Sequence, residues 1–393
     1  MQEVINNCLK ITIKGEIRKM EIKTFKVEQW MNEYENDAVY NLAETCVDSL
    51  TLRELLELSG ENPEEYMKSL VDTRLSYSYI SGSPELLNGI SELYKNIRPS
   101  QVIPTHGAIG ANFSSIITIL EPGDSMVSVM PTYQQHYSIP ESIGAEVNIL
   151  HLTRENDFLP DLDELRRIVK KNTKMITINN PNNPSGSWIP EDVMNEIVDI
   201  AKSVDAYVLC DEVYRGISED GSYMYSIVDL YDKGISISSM SKVFSLAGLR
   251  MGWIATRDEK LITLLRERRD YDTISCGVLD DIFASIALKN KDKIFARNRE
   301  ILLKNRTILD NWVKKERHIS YVKPSAGTTA LLYYDLNMPS RELCMDLMKK
   351  TGVFFTPGEC FEQEGCVRIG YAYDSKTLEQ GLEIFSRYMA GKE

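Results

Sequence analysis

Short apolar runs of strand length recur through the middle of the chain, at residues 125–130, 146–150, 174–179, 206–210, 235–239 and 251–255. Several are separated by stretches with helical spacing. Ile109, Phe113, Ile116, Ile117 and Leu120 form one set; Val193, Ile197, Ile200 and Ala201 form another. Each set predicts one buried helix face. Strands that are apolar on both faces and alternate with helices predict an α/β fold, a mainly parallel central sheet covered by helices. Ahead of this region, residues 25–58 read as mostly helical with an extended break. Phe25, Trp30 and Tyr34 are its anchors, and Thr51 is placed to cap a helix. Beyond about residue 288 the pattern changes. A long charged helix over 292–316, strand-like 328–335 and two further helices predict a distinct α+β module.

The chain's 393 residues suffice for more than one core, so two domains are expected. Its 43% apolar and 26% charged residues are ordinary for a globular protein. A net charge of −13 argues against binding nucleic acid or anionic membrane, either of which calls for a basic face. The longest apolar runs, such as 116–120 and 207–210, are too short to cross a bilayer, and no export signal precedes them. Seven cysteines without CxxC spacing read as reduced cytoplasmic thiols instead of a disulfide framework. Four histidines lack ligand spacing, so no metal site is expected. Residues 1–19 lack an amphipathic period and read as a loosely ordered or partner-contacting extension, with Met20 as a second candidate start.

Four segments of the middle do not look like packing sequence. Residues 105–111 (THGAIGA) open a helix with small side chains, so its unpaired amides suit a phosphate, although a tight turn explains them as well. Residues 179–186 (NNPNNPSG) crowd turn formers just past a strand, where α/β sheets bind ligands. Asp211 and Tyr214, in DEVY, follow the next strand and could flank one aromatic ligand or simply close a loop. Lys242 lies in SMSKVF, with Arg250 eight residues on in GLRMGW. Among small and apolar neighbours its amine is expected to be desolvated, which disfavours the charged form and makes it a nucleophile.

These segments, with PTY at 131–133 and VRIGYAY at 367–373, resemble in order and spacing the fold type I pyridoxal-phosphate enzymes, specifically the class I/II aminotransferases. The resemblance spans about residues 77–368. It implies pyridoxal 5′-phosphate as cofactor, held by Lys242 as an internal aldimine; the same lysine then moves the substrate Cα proton through a quinonoid. Asp211 is implied to face the pyridine nitrogen, and Tyr214 and Asn183 the phenolate oxygen. Tyr133 is implied to stack on the ring. Ala108, Ile109, Ser239 and Arg250 make the phosphate cradle, with Ser241 as a further contact. Tyr77 is implied to reach the phosphate of a partner subunit, with Tyr79 as its rival, so a homodimer with shared sites is expected. Arg368 is implied to clamp the substrate α-carboxylate beside Asn183, and the Asn183–Pro184 bond to be cis. The domains follow: an extension at 1–19, an arm and part of a small domain at 20–60, a large cofactor-binding domain at 61–288, and the rest of the small domain at 289–393.

Residues 41–50 (NLAETCVDSL) depart from the glycine-containing strand that usually closes over the substrate. This N-terminal region is similar to the capreomycidine synthase subgroup, whose members use arginine-derived substrates. Glu44 and Asp48 at a substrate mouth would favour a cationic side chain, and Asp270 and Asp272 lie where a partner subunit often contributes. The leading expectation is an aminotransferase working between an L-amino acid and a 2-oxo acid. The alternative is a lyase, cyclase or oxidase acting on an arginine-like amino acid. A cofactor-sensing transcription regulator is disfavoured, because no basic recognition helix precedes the core. Trp30 and Trp253 are expected to pack, His106 and His136 to be satisfied loop histidines, and Arg266, Arg268 and Arg269 to decorate a solvated helix.

Overall fold

The computed structural model describes residues 10–13, 16–19, 21–77, 79–218 and 221–392. Of the N-terminal extension, Lys10–Ile13 and Glu16–Lys19 pair as an antiparallel hairpin. Its remaining residues, and Met20, lie outside the described residues.

Seven strands make the central sheet: β1 (Val102–His106), β2 (Ser125–Met130), β3 (Glu146–His151), β4 (Thr173–Asn179), β5 (Tyr207–Asp211), β6 (Gly234–Ser239) and β7 (Met251–Thr256). Their order is β1-β7-β6-β5-β4-β2-β3. All pairings are parallel except the two made by β7, which runs antiparallel to both β1 and β6. The six predicted runs are all strands, to within a residue or so at each end. The seventh, β1, is hidden in the sequence by Pro104, which cannot donate to a ladder. It is accommodated because β1 is an edge strand.

In β4–β6, Asn179 stands opposite Asp211 and Asp211 opposite Ile237, so the carboxyl ends of three adjacent parallel strands lie level. The turn at 179–186, the 211–214 segment and the 239–242 segment therefore emerge side by side. This is the edge at which ligands bind such sheets. The Gly107–Ile119 helix departs from its predicted face. It buries Ala111, Asn112, Ser114, Ser115 and Ile116, while Ile109 and Phe113 turn outward. Small residues face the sheet because the helix packs closely on β7 and β6.

The N-terminal helix, Lys26–Tyr34, is anchored by Trp30, whose indole donates to the Phe355 carbonyl. Thr51 caps Leu52–Ser59 in a reciprocal box with Glu54. Between these helices Tyr40–Asn41 pairs with Val353–Phe354, and residues 42–50 form a strap. On one side its Val47 and Leu50 amides donate to the Lys242 and Ser245 carbonyls. On the other, Leu42 donates to Phe354 and accepts from Gly370, and Asp48 donates to Ala372. A Cβ on Gly370 would collide with the Glu44 carbonyl oxygen, so glycine is what lets the strap lie so close.

After the long Lys291–Val313 helix comes an antiparallel sheet, in the order Ile319–Ser320, Thr329–Tyr334, Cys366–Gly370, Thr356–Pro357. The helices Ser340–Thr351 and Ser375–Ala390 complete this region. Among the described residues no helix is long and apolar enough to cross a membrane.

Candidate active site

A cavity of about 320 Å³ opens at the carboxyl ends of β4–β6, with the strap across it. That size falls within the range of small-molecule sites, ~300–1,000 Å³. Ala108, Ile109, Tyr133, Asn183, Asp211, Tyr214, Ser239, Ser241, Lys242, Arg250, Arg368 and Glu44 all line it. Tyr77 does not: it is 65% exposed on the loop before the Pro84–Ser91 helix. Tyr79 lines a separate groove with Tyr66 and Asp281.

Lys242 follows β6 and sends its ammonium to the Thr45 hydroxyl, 2.6 Å away, with the Cys46 thiol at 3.6 Å. Burial disfavours its charge, but Cys46, Tyr214 and Glu44 outweigh burial and hold the amine above the ordinary lysine range. The sequence predicts the opposite direction, because Cys46, Tyr214 and Glu44 are brought to the amine only by the fold. Burial pushes the Cys46 thiol up to about 11.

Asp211 ends β5 with one oxygen on the Val213 amide and the other receiving the Asn112 side-chain amide at 2.8 Å. The buried His136 puts its Nε2 3.7 Å from that second oxygen, and this nitrogen has no hydrogen-bond partner. His136 thus belongs to a helix, Gln135–Ser142, beside the site and is not a satisfied loop histidine. Asn183 takes the Asn179 carboxamide oxygen on its own amide; the Asn183–Pro184 bond is cis, as are Asn180–Pro181 and Met130–Pro131. Burial raises the Tyr214 phenol. Tyr133 presents its ring to the cavity and donates its hydroxyl to Glu28 at 2.8 Å.

At the opposite end, Arg250 lies against the first turn of the Gly107–Ile119 helix. A Cβ on Gly107 would sit 2.8 Å from its Nη2, so the glycine makes the cradle. Amides of a helix N-terminus beside a guanidinium suit a phosphate. Arg368, from Cys366–Gly370, is fully buried. Its Nη1 donates to Asn183 at 3.2 Å and its Nη2 to the Ala43 carbonyl and Thr356, while Nε has no partner. Burial lowers its pKa. A buried, cavity-lining guanidinium with an orphaned N–H fits a carboxylate. An amine, a carboxylate at a strand end, a phenol, a flat aromatic ring and an anion cradle together match the functional groups of pyridoxal phosphate.

Glu44 folds back so that its Oε1 accepts from the Thr45 and Cys46 amides, both at 2.8 Å. Burial opposes its charge, yet Lys242 and those amides hold it below the ordinary range. Asp48 does not reach the cavity and pairs with Arg297, and Asp270 and Asp272 are exposed outside it. Arg269 is buried, in contrast to the solvated helix face that its sequence predicts; Arg266 and Arg268 donate to the Ser100 and Ile117 carbonyls. Sequence reasoning misses Asn112, Thr45, Cys46, Glu28 and Glu35, which also line the cavity. Asn112 has a readable signal, a carboxamide among the small and apolar residues of its helix.

The profile of aminotransferase class I and II matches residues 49–385. Capreomycidine synthase of Streptomyces vinaceus is 28% identical over 367 residues, which cover 92% of each chain. Aspartate/prephenate aminotransferase of Thermus thermophilus is 24% identical, over 83% of this chain and 86% of that protein. The crystal structure of a PLP-dependent aminotransferase from Streptococcus suis superposes with a TM-score of 0.92 at 43% identity, covering 95% of this chain and 99% of that one. A match of that extent, over residues that surround one cavity with the groups a pyridoxal phosphate needs, assigns the molecule: the chain belongs to the aminotransferase class I and II family and is a pyridoxal-phosphate-dependent enzyme.

Proposed function

We propose that the enzyme moves the amino group of an L-amino acid to a 2-oxo acid in two half-reactions. The observation that carries this reading is the convergence of Lys242, Asp211 and Arg368 on one cavity. Bound pyridoxal phosphate supplies the electron sink for the substrate's Cα and stores the amino group between half-reactions. Lys242 would anchor the aldehyde through its amine and would take and return the substrate's Cα proton. The Thr45 hydroxyl, already bonded to that amine, keeps it in place meanwhile. Asp211, held in place by the Asn112 amide, would face the ring nitrogen. Tyr214 and Asn183 would hold the ring oxygen, Tyr133 would cover the ring, and Ala108, Ile109, Ser239, Ser241 and Arg250 would hold the phosphate. Arg368 receives the substrate carboxylate.

The enzyme works as a homodimer: Tyr77, exposed on its own chain, reaches the partner's phosphate end, where Ile109 and Arg250 are open to solvent. The pairing of Tyr40–Asn41 with Val353–Phe354 supports grouping residues 20–60 with 289–393 as one domain against 61–288. The absence of CxxC spacing supports a cytoplasmic setting.

Purified holoenzyme offered single amino acids, then 2-oxo acids, tests the reaction. Conversion of the cofactor to its amine form, reversed by a 2-oxo acid, is the expected result. Ammonia release with the aldehyde form retained would support a second reading, a lyase, cyclase or oxidase at the same site. That reading is favoured by the strap sequence and the likeness to capreomycidine synthase.

A further inference from the structure

Seven charged side chains line the cavity. Four have assignments in the reading above: Lys242 and Asp211 on the cofactor, Arg250 on its phosphate, Arg368 on the substrate carboxylate. The three that remain are Glu28, Glu35 and Glu44, and all are acids.

They are held as a group. Val27, Glu28, Met31 and Glu35 line the cavity together, because their spacing brings them to one side of the Lys26–Tyr34 helix and the turn that extends it. Glu28 takes the Tyr133 hydroxyl on Oε1, Glu35 takes the Asn41 amide on Oε1 at 3.1 Å, and Glu44 takes two backbone amides on Oε1. Glu44 also meets the Cys46 thiol. Among the described residues no hydrogen bond reaches the Oε2 of Glu28 or of Glu35, and neither atom is sealed from solvent. The arrangement is electrostatically costly as it stands: burial, and then Glu44 and Glu28, push the Glu35 carboxyl above its ordinary range. Such like-charge crowding is relieved by a cation.

A second, separate observation says where a ligand must lie. Arg368 is buried with an unpartnered Nε, and it donates to the carbonyl of Ala43, the residue before Glu44. A carboxylate on Arg368 therefore starts beside the acidic wall, and a side chain growing away from it meets Glu28 and Glu35, which no lysine or arginine pairs among the described residues, and Glu44, which faces Lys242. A second carboxylate there would be repelled, and a neutral chain would leave Glu28 and Glu35 uncompensated.

We propose that Glu28, Glu35 and Glu44 form a side-chain subsite for an amino acid ending in a guanidinium or ammonium group. The inference rests on the family reading for the cofactor chemistry and adds the substrate class.

The test uses the cofactor-loaded Lys242→Ala protein, which binds without turning over, titrated calorimetrically with L-arginine, L-ornithine, L-norleucine and L-glutamate. The cationic amino acids are expected to bind on the order of tenfold to a hundredfold tighter than norleucine, the range for a charge-assisted contact. Rising salt should erode that margin. Glu28→Gln and Glu35→Gln, each placed in the same background, should lower the arginine-to-norleucine ratio, and glutamate should bind least. Equal affinity for arginine and norleucine in the parent protein, at any salt, would overturn the subsite without needing any glutamine variant to fold. Failure of every amino acid to alter the wild-type cofactor spectrum would instead bring down the transamination reading, and the subsite with it.

Discussion

Asn112 donates its side-chain amide to the Asp211 carboxylate across 2.8 Å, from a helix that precedes the strand by almost a hundred residues. A hydrogen bond to a buried group of this kind is worth about 1.5–3 kcal/mol. Asn112→Leu should therefore weaken cofactor binding to the apoprotein by roughly tenfold to a hundredfold. Asn112→Asp should weaken it further by placing two acids together. Fluorescence titration of apoprotein with pyridoxal phosphate measures both.

The Thr45 hydroxyl at 2.6 Å from the Lys242 amine gives a second prediction. Thr45→Val should lower kcat about tenfold by letting the freed amine wander, and Thr45→Ser should restore most of it. Because Lys242 is held above the ordinary lysine range, its neutral fraction is small at neutral pH. Capture of the cofactor by apoprotein should then speed up as pH rises, by up to about tenfold per unit. Stopped-flow absorbance follows that rate directly.

Glu44 carries a pH signature. Its folded pKa lies below the ordinary glutamate value of about 4.3, held there by Lys242 and two amides against the pull of burial. A depressed acid stabilises the fold above its unfolded pKa, and that contribution disappears as pH falls through the folded value. Apoprotein should lose melting temperature below about pH 4.3, and Glu44→Gln should lose less over the same window. Differential scanning calorimetry of the two proteins compares the slopes.

If Tyr77 serves the partner's site, two dead proteins should make a live one. Lys242→Ala and Tyr77→Ala subunits, mixed and refolded, place an intact Lys242 opposite an intact Tyr77 in one site of each heterodimer. About a quarter of all sites should be whole. Activity in the mixture that merely averages the two parents would refute the exchange.

Much of the sheet is legible in the sequence because its strands are buried on both faces and read as continuous apolar runs. The strand at Val102–His106 is not, since Pro104 reads as a breaker until the strand is known to be an edge. Likewise the cofactor-facing residues sit in short motifs at strand ends, where turn chemistry marks them. Glu28, Glu35 and Thr45 carry no local mark. They become site residues only when the N-terminal helix and strap fold back over strands some two hundred residues away, and an isolated glutamate on a helix looks like any solvated one. The direction of the Lys242 shift fails for the same reason: its apolar neighbours are sequential, whereas Cys46, Tyr214 and Glu44 are brought to it by the fold.

The strap across the cavity divides the labour of the site between separate pieces of chain. Glu44, Thr45 and Cys46 are tied through Ala43 to Arg368 and through Leu42 to Gly370, while Asp211, Arg250 and the Gly107 cradle sit on the central sheet and its helix. A substitution in the strap therefore reaches both ends of the reaction, the substrate carboxylate through Arg368 and the amine through the Thr45 bond to Lys242.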